Sequence, residues 1–183
     1  RSLIITFALF LVVTLIQPLH AQNPEQVQKF SIETEPVAYI LGGAGITGSY
    51  QQGPWTYSIE AYGELTVPES QHGNEGFTTG LKGIILQAER FITGADGFYV
   101  GPEFGIASAD ITLKSTNKSR TYTGYSIGLR GGYHWNTGLG NLYLSPVVGL
   151  GYTLNNKDIE IAGQTFESEP FMPWGTIGIG WSF

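Results

Sequence analysis

Apolar and polar residues alternate with a period of two along most of the chain from residue 29 onward. The last stretch shows it most sharply: Ile177, Ile179, Trp181 and Phe183 fall on one face, and Thr176, Gly178, Gly180 and Ser182 on the other. A period of two is the geometry of a strand. One face is large and apolar while the other is small or polar, the reverse of a soluble sandwich that buries its apolar face among neighbours. A lipid-facing strand around a narrow interior fits this pattern.

The same alternation predicts eight strands. The first sets Phe30, Ile32, Pro36, Ala38 and Ile40 against Ser31, Glu33, Glu35 and Tyr39, and reverses at Gly42 and Gly43. A short second strand carries Ile46, Gly48 and Tyr50. The third, from Trp55 to Thr66, turns Trp55, Tyr57, Ile59, Ala61 and Leu65 outward and Thr56, Ser58, Glu60, Tyr62 and Glu64 inward. The fourth, over 77–92, faces Gln87 and Glu89 inward and leaves Lys82 and Arg90 near the two membrane edges, where long cationic side chains snorkel. The fifth starts at Phe98, the sixth carries Tyr125 to Trp135, the seventh runs from Leu142 to Tyr152, and the last closes the chain.

Short connections at 51–54, 93–97 and 136–141 alternate with long ones at 67–76, 110–121 and 155–170. Short turns on one side and long loops on the other, with an even strand number from eight upward, mark an outer-membrane barrel. An unsplit first strand from Pro36 to Tyr50 would instead give seven strands and put the two termini on opposite sides. The fold expected is all-β: an antiparallel up-and-down eight-stranded transmembrane β-barrel over 29–183, behind a cleavable signal peptide at 1–21 and a polar periplasmic tail at 22–28. The signal is read from Arg1, the apolar run from Leu3 to Ile16, Pro18 and a cleavage-like Leu19-His20-Ala21. That run is too short to span a bilayer comfortably.

Composition narrows the function classes. The chain holds 26 glycines and no cysteine, which excludes disulfides and thiolate metal sites. A net charge of −6 argues against a nucleic-acid partner. So many glycines on a solvent face would weaken strands for no gain, whereas inside a narrow barrel they make room for a few large side chains.

With Phe183 last and Ile179 and Trp181 at alternate positions before it, the sequence resembles the bacterial outer-membrane β-barrels, in which such an ending is read by the barrel assembly machinery. Together with Phe30-Ser31-Ile32-Glu33-Thr34-Glu35-Pro36 and the Gly-Phe-Tyr-Val-Gly-Pro segment at 97–102, it resembles small barrels like the transmembrane domain of outer membrane protein A. The resemblance implies a bacterial outer-membrane location, surrounding lipid and lipopolysaccharide as partners, and no cofactor.

The inward positions carry an excess of acid: Glu33, Glu35, Glu60, Glu64, Glu89 and Glu103 against Arg130, with His134 toward the periplasmic end. A carboxylate in a desolvated lumen must be paired, hydrated or protonated. Arg130 is therefore expected to pair with one or two of Glu60, Glu89 and Glu103, and His134 to cap the lumen by hydrogen bonding. Such a network plugs the barrel and fixes its register; the alternative is a narrow cation-preferring channel. Hydrolytic chemistry on lipid would need a serine activated by histidine, and Asn136 stands two residues beyond His134. Asp158, Glu160, Glu167 and Glu169 lack the spacing of a calcium loop. Lys114, Lys118 and Arg120 are expected on one outer loop, within reach of lipopolysaccharide phosphates.

Overall fold

The computed structural model describes residues 28–92, 94 and 96–183. The expected signal peptide and the tail up to residue 27 lie outside the described residues. Gln28 already pairs with Gln52, so the barrel begins one residue earlier than the alternation suggests.

Eight strands close into an antiparallel barrel: β1 (Gln28–Thr34), β2 (Ala44–Gln52), β3 (Trp55–Val67), β4 (Phe77–Phe91), β5 (Gly97–Leu113), β6 (Lys118–Asn136), β7 (Leu142–Thr153) and β10 (Phe171–Ser182). Two short strands, β8 (Ile159–Ile161) and β9 (Gln164–Phe166), form a separate hairpin between β7 and β10. Each strand pairs with its sequence neighbour, and β1 meets β10 to close the ring in the order β1-β10-β7-β6-β5-β4-β3-β2.

The stagger follows from the register. Starting at Ile46 and stepping to the opposite residue, one direction passes Ala61, Ile84 and Ile106 to Tyr125. The other passes Thr34, Ile179 and Leu144 to Trp135, ten residues from Tyr125 on the same strand. Ten residues of stagger over eight strands tilt the strands by about 40° from the axis. The ends of that line also bracket the outward apolar positions of β6, Tyr125, Ile127, Leu129, Tyr133 and Trp135, all exposed. At ~3.3 Å per residue and this tilt the belt stands about 25 Å tall, the height of an outer-membrane hydrocarbon layer.

Above the belt the faces of the wall change places. Outward positions run apolar to Ile84, Ile106 and Tyr125 and then continue as Lys82, Ser108 and Thr123. Inward positions at the same height become apolar, with Phe77, Ile111 and Leu113 buried. The β8–β9 hairpin folds over this inner face, so Ile159, Ile161 and Phe166 join them in one hydrophobic cluster. Asn74 clips the hairpin from the β3–β4 connection by donating to Glu167 O at 2.9 Å and accepting from Glu167 N at 2.7 Å. A head beyond the belt therefore stands on β4, β5 and β6 with a core of its own.

Four expectations are corrected. Residues Pro36–Ile40 are not strand but a short helix, α1, inside the first outer connection. Polar residues at 110–121 suggested a loop, yet β5 and β6 stay paired through Asp110↔Thr121 to Leu113↔Lys118. Only 114–117 turn, because the hairpin supplies the apolar partners that Ile111 and Leu113 need. The connection 155–170 contains that hairpin, and 68–76 contains a one-turn helix, α2 (Glu69–His72). Finally, a bulge between Tyr62 and Leu65 shifts the register so that Leu65 opposes inward Leu81; Leu65 thus faces in, not out.

Candidate functional site

The charged layer of the lumen sits at mid-height and is assembled from β3, β4, β5, β6 and β10. Arg130 lies where the tilt line places the midpoint between Tyr125 and Trp135, and it is 5% exposed. Its Nε stands 2.9 Å from Glu89 Oε1 and its Nη1 3.9 Å from Glu60 Oε2. Glu60 is also held by Gln87, whose Nε2 donates at 2.8 Å. Glu103 accepts from Trp174 Nε1 at 3.3 Å, and the Arg130 guanidinium lies 5.3 Å from the centre of the same indole. Trp174 thus bridges acid and base through its edge and its face.

Glycines opposite these groups make the fit possible. A Cβ at Gly149 would stand 2.5 Å from the Trp174 ring, and one at Gly180 would stand 2.1 Å from Tyr143 Cζ. Among the described polar atoms, Arg130 Nε and Nη1, Glu89 Oε1 and Glu103 Oε2 are buried without an aligned hydrogen bond from protein. Beside them lies a cavity of about 40 Å³ lined by Glu33, Gln87, Glu89, Arg130, Tyr143 and Ser145. Space of that size holds two or three waters, which such atoms require. Below it Tyr99 and Ser145 share a hydroxyl hydrogen bond at 2.9 Å.

The structure brings Arg130, Glu60, Glu89 and Glu103 into one layer and leaves Glu64 out. Glu64 occupies the β3 bulge with φ +60 and is exposed, because the extra residue lifts it off the inner face. His134 sits near the end of the barrel opposite the head, stacked on Tyr143 at 4.0 Å between ring centres and edge-on to Phe91 at 5.9 Å. It also lines the lumen cavity together with Lys29. Glu33 is buried in the same lumen and Glu35 is half-buried above it.

Trp174 was not among the expected site residues. Its even position on β10, shared with Thr176 and Gly178, is the signal that marks it as inward. Lys114, Lys118 and Arg120 all lie at the tip of the β5–β6 hairpin, with different neighbours. Lys114 pairs with Glu69 on the outer side of the head, while Arg120 shares the inward face of Ile111 and donates to Glu160 O at 3.4 Å. Ile179, Trp181 and Phe183 line one lipid-facing edge of β10, all exposed.

Closed eight-stranded wall, exposed apolar belt and polar lumen define a transmembrane β-barrel. No protein-family model and no curated protein matches the sequence. Among solved structures the chain is similar to the crystal structure of Neisserial surface protein A, at 13% identity and a TM-score of 0.48, over 85% of this chain and 91% of that one.

Proposed function

We propose that this chain is a non-enzymatic outer-membrane protein of the bacterial envelope, with its lumen closed by the Arg130 layer and its interactions made through the extracellular head. The observation that carries this reading is the layer itself: Arg130, Glu60, Glu89, Glu103 and Trp174 meet at mid-height, with a cavity of about 40 Å³ beside them. A hydrated ion needs a continuous wide path, and such a layer interrupts it. The ring contacts of His134 with Tyr143 and Phe91 support a packing role over a general base. Surrounding lipid, lipopolysaccharide and the assembly machinery are the partners that this reading implies. Lys82, 59% exposed and 3.9 Å from Asp110, is the cation at the outer rim of the belt, better placed for lipid phosphate than the residues of the head.

The surplus of carboxylates around one arginine favours a second reading, a narrow cation-preferring pore. Single-channel recording of the refolded barrel, wild type against Arg130→Ala, decides between them. Stable insertion without conductance in the wild type supports the closed lumen. Discrete cation-selective steps in the wild type that the substitution alters would replace it with the pore.

A further inference from the structure

The edge of β6 changes character where the belt ends. β7 pairs with β6 only from Ser126 downward, whereas β5 pairs with it as far up as Lys118. Successive residues of a strand turn their backbone groups to opposite neighbours. Tyr125 O accepts from Leu154 N, so the odd residues of β6 face the β7 side. The register between β5 and β6 is constant along the whole strand, and this parity therefore holds up to Ser119.

At the rim of the belt a side chain closes the ladder. Asn155 Oδ1 accepts from Tyr125 N and Asn155 Nδ2 donates to Thr123 O, both at 2.9 Å. That amide stands in for one more peptide unit of β7, at the height where an open backbone group would still meet hydrocarbon. Above it the edge is bare. Among the described residues, Thr123 N and both backbone groups of Ser119 and Thr121 have no protein partner. Residues 118–121 and 123 are exposed, and the segment carries neither proline nor bulge. A straight open edge of this kind is a template for another strand unless something bars it.

Charge decides which strand is barred. Lys118 and Arg120 alternate with the open positions, and Lys157 Nζ lies 5.4 Å from the centre of the Tyr122 ring in the same row. Among the described residues none of these three cations joins an ion pair. Arg120 gives one N–H to Glu160 O at 3.4 Å and keeps the rest of its fork free. The nearby acid Asp110 is on the other face, where Thr121 Oγ1 donates to it at 2.6 Å and Lys82 stands 3.9 Å away. Pairing two copies of this edge would set cation beside cation, which destabilises a sheet. A strand that carries acids on the matching face meets the opposite sign.

We propose that the edge of β6 from Ser119 to Thr123 is a docking site for an extended acidic segment of a partner protein, which adds a strand there with carboxylates at alternate positions. Main-chain hydrogen bonds to Ser119, Thr121 and Thr123 hold the strand, and carboxylates two residues apart meet Lys118 and Arg120. Small hydroxyl side chains suit the row of Ser119, Thr121 and Thr123 on the other face. A phosphate would satisfy the cations and leave the backbone groups bare. The inference rests on the head as the interacting part of the chain and is independent of whether the lumen conducts.

The probe is a fluorescein-labelled synthetic peptide of alternating threonine and glutamate, titrated by fluorescence anisotropy against the whole barrel refolded into phosphatidylcholine nanodiscs. Saturable binding is expected, weakened roughly tenfold or more by Lys118→Gln with Arg120→Gln. Thr121→Pro removes one N–H from the open edge and leaves the β5 ladder intact, so it should weaken binding as much. Two further peptides are N-methylated, one on every threonine and the other on every glutamate. Added as a strand, the peptide turns only one of these sets toward β6, so one methylated peptide should bind and the other should not. No binding to the wild-type barrel would overturn the proposal. Equal affinity of the two methylated peptides would also overturn it and make the site a cluster of cations fit for lipid phosphate. Wild-type dimers that Thr121→Pro dissolves would give the edge to a second copy instead. Should Thr121→Pro not refold, the methylated pair decides on the wild-type barrel. Conductance is recorded separately, so a failed titration leaves the closed lumen standing and a conducting lumen leaves the titration standing.

Discussion

Truncating Ile111 or Leu113 tests the inversion of polarity above the membrane. Both are at inward positions of β5, 2% and 1% exposed, in contact with a hairpin that sequence places about fifty residues away. Large-to-small substitution at a buried aliphatic site costs roughly 2–5 kcal/mol, the spread set by how far the site collapses. Taking about 3 kcal/mol for Ile111→Ala, the free energy of opening the hairpin falls by that amount and its open population rises about 100-fold. The loss is local, because the belt below is held by its own pairing and by lipid. Hydrogen exchange of the amides in 159–166 should accelerate by that factor, while amides in the lower halves of β3 and β7 keep their protection. Ile106→Ala is the matched control: same strand and same side-chain loss, but 43% exposed on the lipid face, with no expected effect on the hairpin. Unchanged hairpin protection in Ile111→Ala, with a lowered urea midpoint for the whole barrel, would refute the reasoning. It would place Ile111 in the membrane wall instead of a separate core.

Three other outcomes follow from the geometry. Glu89→Gln removes the nearest partner of a buried guanidinium and should cost roughly 3–5 kcal/mol in equilibrium urea unfolding from vesicles; a change below about 1 kcal/mol would mean that hydration supports Arg130 unaided. Gly180→Ala drives a methyl group into Tyr143, with Cβ 2.1 Å from Cζ, and should abolish refolding judged by heat-modifiable gel mobility, with Tyr143→Ser restoring it. In the head, burial against Phe166 lowers the His72 pKa, and its Nδ1 accepts from Asn74 N at 3.1 Å, so the folded head favours neutral imidazole. That contribution is complete above the unfolded value near 6.5 and declines as pH falls below it; the hydrogen bond from Lys114 lowers Glu69, so its contribution is lost only at more acidic pH, below the usual carboxylate range. Hydrogen exchange in 69–76 should therefore rise between pH 7.5 and 5.5, after correction for intrinsic rates, and His72→Gln should abolish the rise.

Much of the wall was legible because the membrane imposes one rule on every strand that crosses it. In β3, β5, β6, β7 and β10, most outward residues read from alternation are exposed within the belt, with Trp55, Leu142 and Leu144 half-buried. The rule ends where the lipid ends. Asp110, Thr112, Ser119 and Thr121 look like a loop because their outward face meets water, and only the distant hairpin shows why Ile111 and Leu113 alternate with them. At Pro36, Ala38 and Ile40 the alternation continues through residues that form a helix, since spacing does not register a missing N–H at the next rung. The bulge at Glu64 is invisible for a related reason: one extra residue flips the faces without changing composition. The acidic surplus was readable by position, but the partition of partners was not. Whether Arg130 turns to Glu89 or Glu103 depends on Trp174, which claims Glu103 from the opposite wall.

The wall meets the outer surface of the membrane in two opposite ways, and the ring order separates them as far as eight strands allow. β1 and β5 face each other across the order β1-β10-β7-β6-β5-β4-β3-β2. On the β5 side the strands overshoot the belt and need a hydrophobic core in water; on the β1 side the strand stops at Thr34 and α1 takes its place. Sites this far apart with no shared partner should respond independently, within about 0.5 kcal/mol. Ile111→Ala should therefore leave amide protection in β1 and β2 unchanged, and Ala38→Gly in α1 should leave hairpin exchange unchanged. Coupling in either direction would mean that the head closes over α1 as well as over β4–β6. Because the connection that carries β8 and β9 leads directly through Pro170 into β10, that continuous segment is where such coupling would have to run.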